Sequence, residues 1–326
     1  MKKILFMVII LVIIIAIAYS QCAHNSQSVA TSKSTQASAE IPKIAGLNTA
    51  RLTTPQIQQL AKILDEEMCP CGKPVSFNQC LSIAAQCSPA IFLGQWIADR
   101  MADGVPANLL AEATTKEIGG GFASKPENIV LDGYARQGAA NPKIRIVEFA
   151  DFTCVHCRAA TKSLHSFAQK YPNEIEIMFK HMPLANHPMA LSAAEAAEAA
   201  GLQGKFWEMH DALFDNQNKL NKDLILGLAK AIGLNFAQFQ KDLESKQVKD
   251  KVIKSTEEAR RLGLAGTPTF FFNSRQYNLS FDLNGFELRR RMELARPQSE
   301  LNALKKGSHS EKQASAPNAN AVAQAQ

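Results

Sequence analysis

Two cysteines three residues apart, in Cys154-Val155-His156-Cys157, follow an apolar β-branched run and open a helical pattern. On a first helical turn, positions i and i+3 share a face, which brings the two sulfurs within the narrow geometry of a disulfide. The first cysteine then faces free backbone N–H groups and the positive end of the helix dipole, which favour a thiolate. His156 can add positive charge or a hydrogen bond. A stabilised thiolate makes the reduced pair relatively more stable and the bridge more oxidising, so the chemistry expected is thiol–disulfide exchange. A purely structural bridge needs neither a helix start nor an intervening histidine. A zinc site would need two further ligands close by, and no metal or other cofactor is expected.

Four of the other five cysteines lie together as Cys69-Pro70-Cys71-Gly72, Cys80 and Cys87. An even count in a short extracytoplasmic segment reads first as two disulfides stapling a core too small to hold itself, with three pairings open. A Cys69–Cys71 ring would be tight and labile, so a second redox centre is a sharper reading, and thiolate binding of zinc or copper a third. The seventh, Cys22, stands near the end of the N-terminal apolar run, where lipidation is a minority reading.

The elements that must position these residues follow from periodicity. Thr54-Pro55 starts a helix carrying Ile57, Leu60, Leu64 and Met68; Ser88-Pro89 starts another with Leu93, Trp96, Ile97 and Met101; Pro106 opens a third that Gly119-Gly120-Gly121 should end. Further on, Lys143 to Phe152 has the apolar run of a buried central strand, Cys154 to Tyr171 is helical, and Glu174 to Phe179 alternates as a strand. His187 to Leu264 is helical throughout, with Phe206, Trp207, Leu213 and Phe214 as core. Gly266-Thr267-Pro268 leads into the strand Thr269 to Phe272, followed by a weaker strand around Tyr277 to Phe281 and a helix from Phe286. Arg289-Arg290-Arg291 is expected as the solvated face of that helix, and His181, His187 and His210 as packed or surface residues.

The chain of 326 residues suits two modest folded units with tails, and 46% hydrophobic with 20% charged residues excludes fibrous or wholly disordered material. Lys+Arg 36 against Asp+Glu 30 gives +6, too weak an excess to indicate nucleic acid. Met1-Lys2-Lys3 followed by the uncharged run Ile4 to Ala18 reads as an export signal. As a helix that run spans about 22 Å, short of a hydrocarbon core of about 30 Å, so an uncleaved membrane anchor through residues 4–18 is the rival. The expected organisation is a signal or anchor over 1–20, a linker over 21–50, a helical four-cysteine module over 51–123, an α/β domain over 128–305 and a tail over 306–326. Export would place the folded part in the periplasm or another extracytoplasmic space.

Three motifs in order, IVEFADFTCVHC, the stretch from KHMPLANHPMA to FWEMHDALF, and AGTPTFFFN, resemble the DsbA-like, thioredoxin-fold family of extracytoplasmic thiol-disulfide oxidoreductases, over residues 129 to 304. The resemblance implies a thioredoxin fold with a helical insertion, exchange of disulfides with cysteine pairs of exported proteins, and a separate redox partner protein. It assigns Cys154 as the attacked sulfur, Cys157 as its resolving partner, and His156 to the middle pair. It assigns Glu148 as a buried acid serving Cys157, and Thr267 and Pro268 to a cis-proline loop that binds substrate. From the residues alone, Glu148 could instead pair with Lys180, Asp151 is a turn residue, and Thr267-Pro268 could be a trans turn. Isomerase or reductase action, and a non-enzymatic metal- or peptide-binding role for the thiols, are the alternatives.

Overall fold

The computed structural model describes residues 44–83 and 86–297. The apolar run of residues 4–18, Cys22, the linker up to residue 43 and the tail from 306 lie outside them. The described residues fall in one compact unit that begins at Pro42, and no helix among them is long and apolar enough to cross a membrane.

The N-terminal part is helical: α1 (Thr54–Glu66), α2 (Phe77–Ser82), α3 (Ser88–Ala102), α4 (Ala107–Thr115) and a π-helical turn (Lys116–Phe122). Helix α1 ends before Met68. The chain turns back there, Cys69 N–H donating to Val75 O and Phe77 N–H to Glu67 O, through Pro70 and a Gly72 at φ +70°; Met68 is left 54% exposed. Helix α2 has a signal in the sequence that periodicity did not use, a capping box between Ser76 and Gln79. The triple glycine does not end the third helix but widens it. A Cβ on Gly121 would stand 2.8 Å from Gln276 O, so glycine lets this turn press onto the strand that follows Phe272. Disulfides join Cys69 to Cys80 and Cys71 to Cys87, and the Cys69–Cys71 ring does not form. Closing loops of 11 and 16 residues removes about 3 kcal/mol of unfolded-chain entropy each.

The C-terminal part is a five-stranded mixed sheet in the order β1 (Arg136–Gly138), β3 (Ile175–His181), β2 (Ile144–Ala150), β4 (Thr269–Phe272), β5 (Arg275–Gln276). Strands β2 and β3 run parallel and the other pairs antiparallel. Helix α5 (Val155–Ala168) connects β2 to β3, as a parallel pair requires. Five helices, α6 (Ala190–Gly201), α7 (Phe206–Asp215), α8 (Lys222–Ala231), α9 (Phe236–Glu244) and α10 (Lys246–Arg261), fill the chain between β3 and β4, and α11 (Leu283–Leu294) follows β5. This is a thioredoxin-type α/β sheet with a helical insertion. The expected strand at Tyr277 to Phe281 is instead the two-residue β5, because Ser280 O accepts the Tyr277 hydroxyl and Asp282 caps α11, folding that segment into a turn. The edge strand β1, three residues long, is too short to carry a pattern in the sequence.

One apolar cluster runs from the helical part into the sheet, with Leu60, Phe77, Leu93 and Ile97 joined to Ile146, Phe167, Phe270 and Phe286. A buried ion cluster ties the same parts together. Arg289 is fully buried, its guanidinium donating to Glu117 in the π-helical turn and, at 3.0 Å, to Glu293. The expectation of a solvated arginine face therefore fails. Arg289 inserts between two buried carboxylates, Arg290 pairs with Glu174 at 2.8 Å and lies 3.9 Å over the Tyr171 ring, and Arg291 lies 4.0 Å over Phe92 of α3.

Candidate active site

The buried strand β2 ends at Ala150, Asp151 follows it, and Cys154 is the N-cap of α5. Asp151 folds the intervening turn by accepting hydrogen bonds from the Thr153 N–H at 2.7 Å and hydroxyl at 2.6 Å. It does more than a turn requires. Its second oxygen accepts from Leu184 N–H at 3.0 Å and stands 2.7 Å from His187 Nδ1, tying the segment after β3 to the cysteine turn. From the helical insertion, Gln217 donates its amide to Phe152 O at 2.8 Å and Cys154 O at 2.9 Å, fixing the backbone on which Cys154 stands. No local pattern marks Gln217, which acts from more than 60 residues away.

The two thiols differ in depth and surroundings. Cys154 is 6% exposed and its thiol donates to Thr267 O at 3.5 Å. Cys157 is fully buried, one helical turn in, with Sγ accepting from Asp151 N–H at 3.5 Å. Burial pushes the Cys157 thiol well up, opposed in part by the Asp151 N–H and Thr267.

Glu148 is fully buried on β2. Its Oε1 accepts the Thr161 hydroxyl, Oε2 has no hydrogen-bond partner, and burial pushes its carboxyl up to about 8. At neutral pH it therefore holds a proton. Thr161 lies four residues after Cys157 on the same helix face, a spacing that could have singled it out. Lys180 is not Glu148's partner. Glu148 pairs in register with Phe179, so Lys180, one residue on, points to the opposite face of the sheet. There it bonds Glu258 and, at 2.7 Å, Val130 O.

The Thr267–Pro268 peptide is cis, and Thr267 brings its carbonyl to Cys154. Beside it a cleft of about 510 Å³ is lined by His156, Ala159, Ser163, Thr267, Gln276 and Phe281. His156 is exposed at its rim.

The remaining histidines are placed separately. His181 Nε2 lies 2.8 Å from Glu198, His187 joins Asp151, and His210 Nδ1 lies 2.8 Å from Asp211. His210 stacks on His165 at 5.3 Å, and burial pushes His165 down to about 4. Phe206, Leu213 and Phe214 are core around them, and Trp207 is half-buried with its indole N–H donating to Arg136 O. Among the described residues, the cluster whose atoms could gather round a metal is Cys69, Cys71 and Cys87, whose sulfurs are held in disulfides.

Residues 145–289 match the family model "DSBA-like thioredoxin domain". Among curated proteins, a Na(+)/H(+) antiporter NhaA 1 of Salinispora arenicola is 35% identical over 148 residues, which cover 45% of this chain and 22% of that protein. The chain thus spans about a fifth of the length of the curated relatives it matches. Among solved structures, similarity is found to a thioredoxin-like oxidoreductase from Silicibacter pomeroyi (27% identity, TM-score 0.47, 51% of this chain and 95% of that one). It is also found to the thiol-disulfide exchange protein alpha-DsbA2 from Wolbachia pipientis (23% identity, TM-score 0.45, 50% and 87%). With its Cys-x-x-Cys pair at the head of a helix and a thioredoxin-type sheet beneath, the segment of residues 145–289 is a DsbA-like thioredoxin domain.

Proposed function

We propose that this chain is an extracytoplasmic thiol-disulfide oxidoreductase that exchanges disulfides with cysteine pairs of exported proteins at Cys154 and Cys157. The observation that carries the reading is the asymmetry of the pair: Cys154 at the helix cap beside the substrate-sized cleft, Cys157 sealed beneath it next to a protonated carboxyl.

In the oxidising direction a substrate thiolate attacks Cys154 Sγ of the bridged pair. The S–S bond breaks towards Cys157, which leaves as a thiolate in a site where burial disfavours that charge. Glu148, holding a proton up to about pH 8, supplies it, directly or through the hydroxyl of Thr161. The second substrate thiol then attacks the substrate sulfur of the mixed disulfide and releases Cys154. Run backwards, Glu148 takes the proton from Cys157, which resolves the mixed disulfide. Sulfur carries the electrons throughout, so the exchange requires no cofactor. Thr267 and Pro268 border the cleft in which an extended substrate segment would lie, its backbone pairing with that of Thr267. His156, at the rim, adds charge or a hydrogen bond there.

The domain organisation belongs to the same proposal: export or anchoring by residues 1–20, a linker over 21–50, a four-cysteine module over 51–123 bonded to the catalytic domain over 128–305, and a tail over 306–326. A redox partner protein returns the pair to its working state. Replacing Cys154 by Ser is expected to abolish both dithiol-peptide oxidation and insulin reduction; full activity in either assay overturns the proposal. The reduction potential of the pair then assigns the direction. A value at or above that of the glutathione couple marks an oxidase or isomerase, and a markedly lower one a reductase.

A further inference from the structure

The two disulfides of the helical part are not isolated staples. The sulfurs of Cys69, Cys71 and Cys87 all lie within 4.8 Å of one another, although Cys71 and Cys87 belong to one bridge and Cys69 to the other. Their exposure is graded. Cys71 is half-buried, whereas Cys69, Cys80 and Cys87 are 1%, 0% and 2% exposed. Cys71 and its bridge partner Cys87 both line a cleft of about 640 Å³, together with Pro70, Lys73, Gln86 and Phe122, and of the two sulfurs Cys71 belongs to the more exposed residue. A thiolate arriving there meets the more accessible sulfur of one bridge beside a lysine, and the sulfur it displaces lies next to the second bridge.

We propose that this four-cysteine module is a second thiol-disulfide exchange centre, specific for small dithiols or exposed cysteine pairs, in which the two bridges act as a relay. The thiolate of a dithiol attacks Cys71 Sγ, and the Cys71–Cys87 bond breaks with the electron pair leaving on Cys87. The Cys87 thiolate attacks Cys69 Sγ, forming Cys69–Cys87 and releasing Cys80. The second thiol of the dithiol attacks its own sulfur in the mixed disulfide and releases Cys71. One dithiol is thereby oxidised by two electrons and its two protons pass to Cys71 and Cys80. The module keeps a single, relocated bridge between Cys69 and Cys87. Because the centre uses only the module's sulfurs, it does not rest on the role of Cys154 and Cys157.

The test uses the full chain with Cys22, Cys154 and Cys157 replaced by Ser, so that the module's sulfurs alone remain. In that background Cys71→Ser leaves the Cys87 thiol beside the Cys69–Cys80 bridge. Alkylation and peptide mapping are expected to find label on both Cys80 and Cys87, within about tenfold of each other, and a Cys69–Cys87 bridge. A tenfold ratio corresponds to bridges differing by about 30 mV. Label confined to Cys87, with Cys69–Cys80 intact, overturns the relay. Should Cys71→Ser lose its helical circular dichroism, the same background with all four module cysteines is treated with one equivalent of dithiothreitol and quenched with alkylating agent. Label on Cys71 and Cys80 supports the relay. Label on Cys71 and Cys87, or no reaction before denaturant is added, overturns it.

Discussion

Cys87 and Cys154 occupy the same local position, each the N-cap of a helix that begins with the next residue. What differs is where their partners lie. Cys157 stands three residues on, within the same first turn, so a bridge between them closes a minimal ring and constrains almost nothing of the chain. Cys71 precedes Cys87 by 16 residues and Cys69 precedes Cys80 by 11, so these bridges fasten a loop and the short α2 to a small helical core. A helix cap is thus the same electrostatic setting in both places, and the span of the ring separates a pair that can cycle freely from pairs whose opening loosens structure. The surroundings sharpen the contrast. Both sets of cysteines belong to apolar clusters, and the short ring has in addition the protonated carboxyl of Glu148.

The comparison can be broken by uncoupling the two regions. Arg289 is the largest fully buried side chain and joins Glu117 of the helical part to Glu293 of α11. Arg289→Ala leaves Glu117 buried without its cation, while Glu293 keeps Arg296 at 2.8 Å, and is expected to cost about 3–5 kcal/mol in urea unfolding, with a single transition in both mutant and wild type. Two separated transitions in the wild type would mean the regions are independent.

Next in size is Glu148→Gln. An amide has no proton to transfer, so exchange at Cys157 is expected to slow by about 100-fold near neutral pH. The gap should close above about pH 8, where the wild-type carboxyl has lost its proton. Stability moves the other way. The folded carboxyl keeps its proton up to about 8, against an ordinary 4.5 unfolded, so its contribution is complete below 4.5 and is lost as the pH rises through 8. Urea titrations at several pH values should show wild-type stability declining across that window relative to E148Q; parallel curves would mean Glu148 is charged or solvated in the native state.

A smaller effect is expected for Gln217→Ala, which removes two hydrogen bonds to the cysteine turn. A cost of about 1–3 kcal/mol to stability should be accompanied by a shifted reduction potential of the Cys154–Cys157 pair. A stability loss with an unchanged potential would make Gln217 a general core residue instead of one that positions the turn.

What was legible in the sequence was local. The strand, the Cys-x-x-Cys at a helix start and the Thr-Pro before β4 are contiguous motifs, whereas the turning of Glu148 and Lys180 to opposite faces depends on the register between β2 and β3. The backbone of the cysteine turn depends on contacts across long separations, such as Asp151 with His187 and Gln217 with Cys154, which no periodicity encodes. The same holds for Arg289. Three successive arginines look like a solvated face until a carboxylate 172 positions away is folded against one of them. The strand β1, three residues at a sheet edge, is too short to carry a period, and the pairing of the four module cysteines was one of three that the spacing left open.

The most direct measurement is trapping with Cys157→Ser. Without its resolving partner, a thiol attached to Cys154 cannot be displaced from within. Incubation with a one-cysteine peptide carried as its mixed disulfide with thionitrobenzoate, followed by mass spectrometry of the intact chain and its peptides, is predicted to find the peptide bonded to Cys154 in stoichiometric yield, with thionitrobenzoate as the leaving thiolate. A Cys154 that stays unmodified under these conditions would contradict the assignment of this site as the one where substrate sulfur is received.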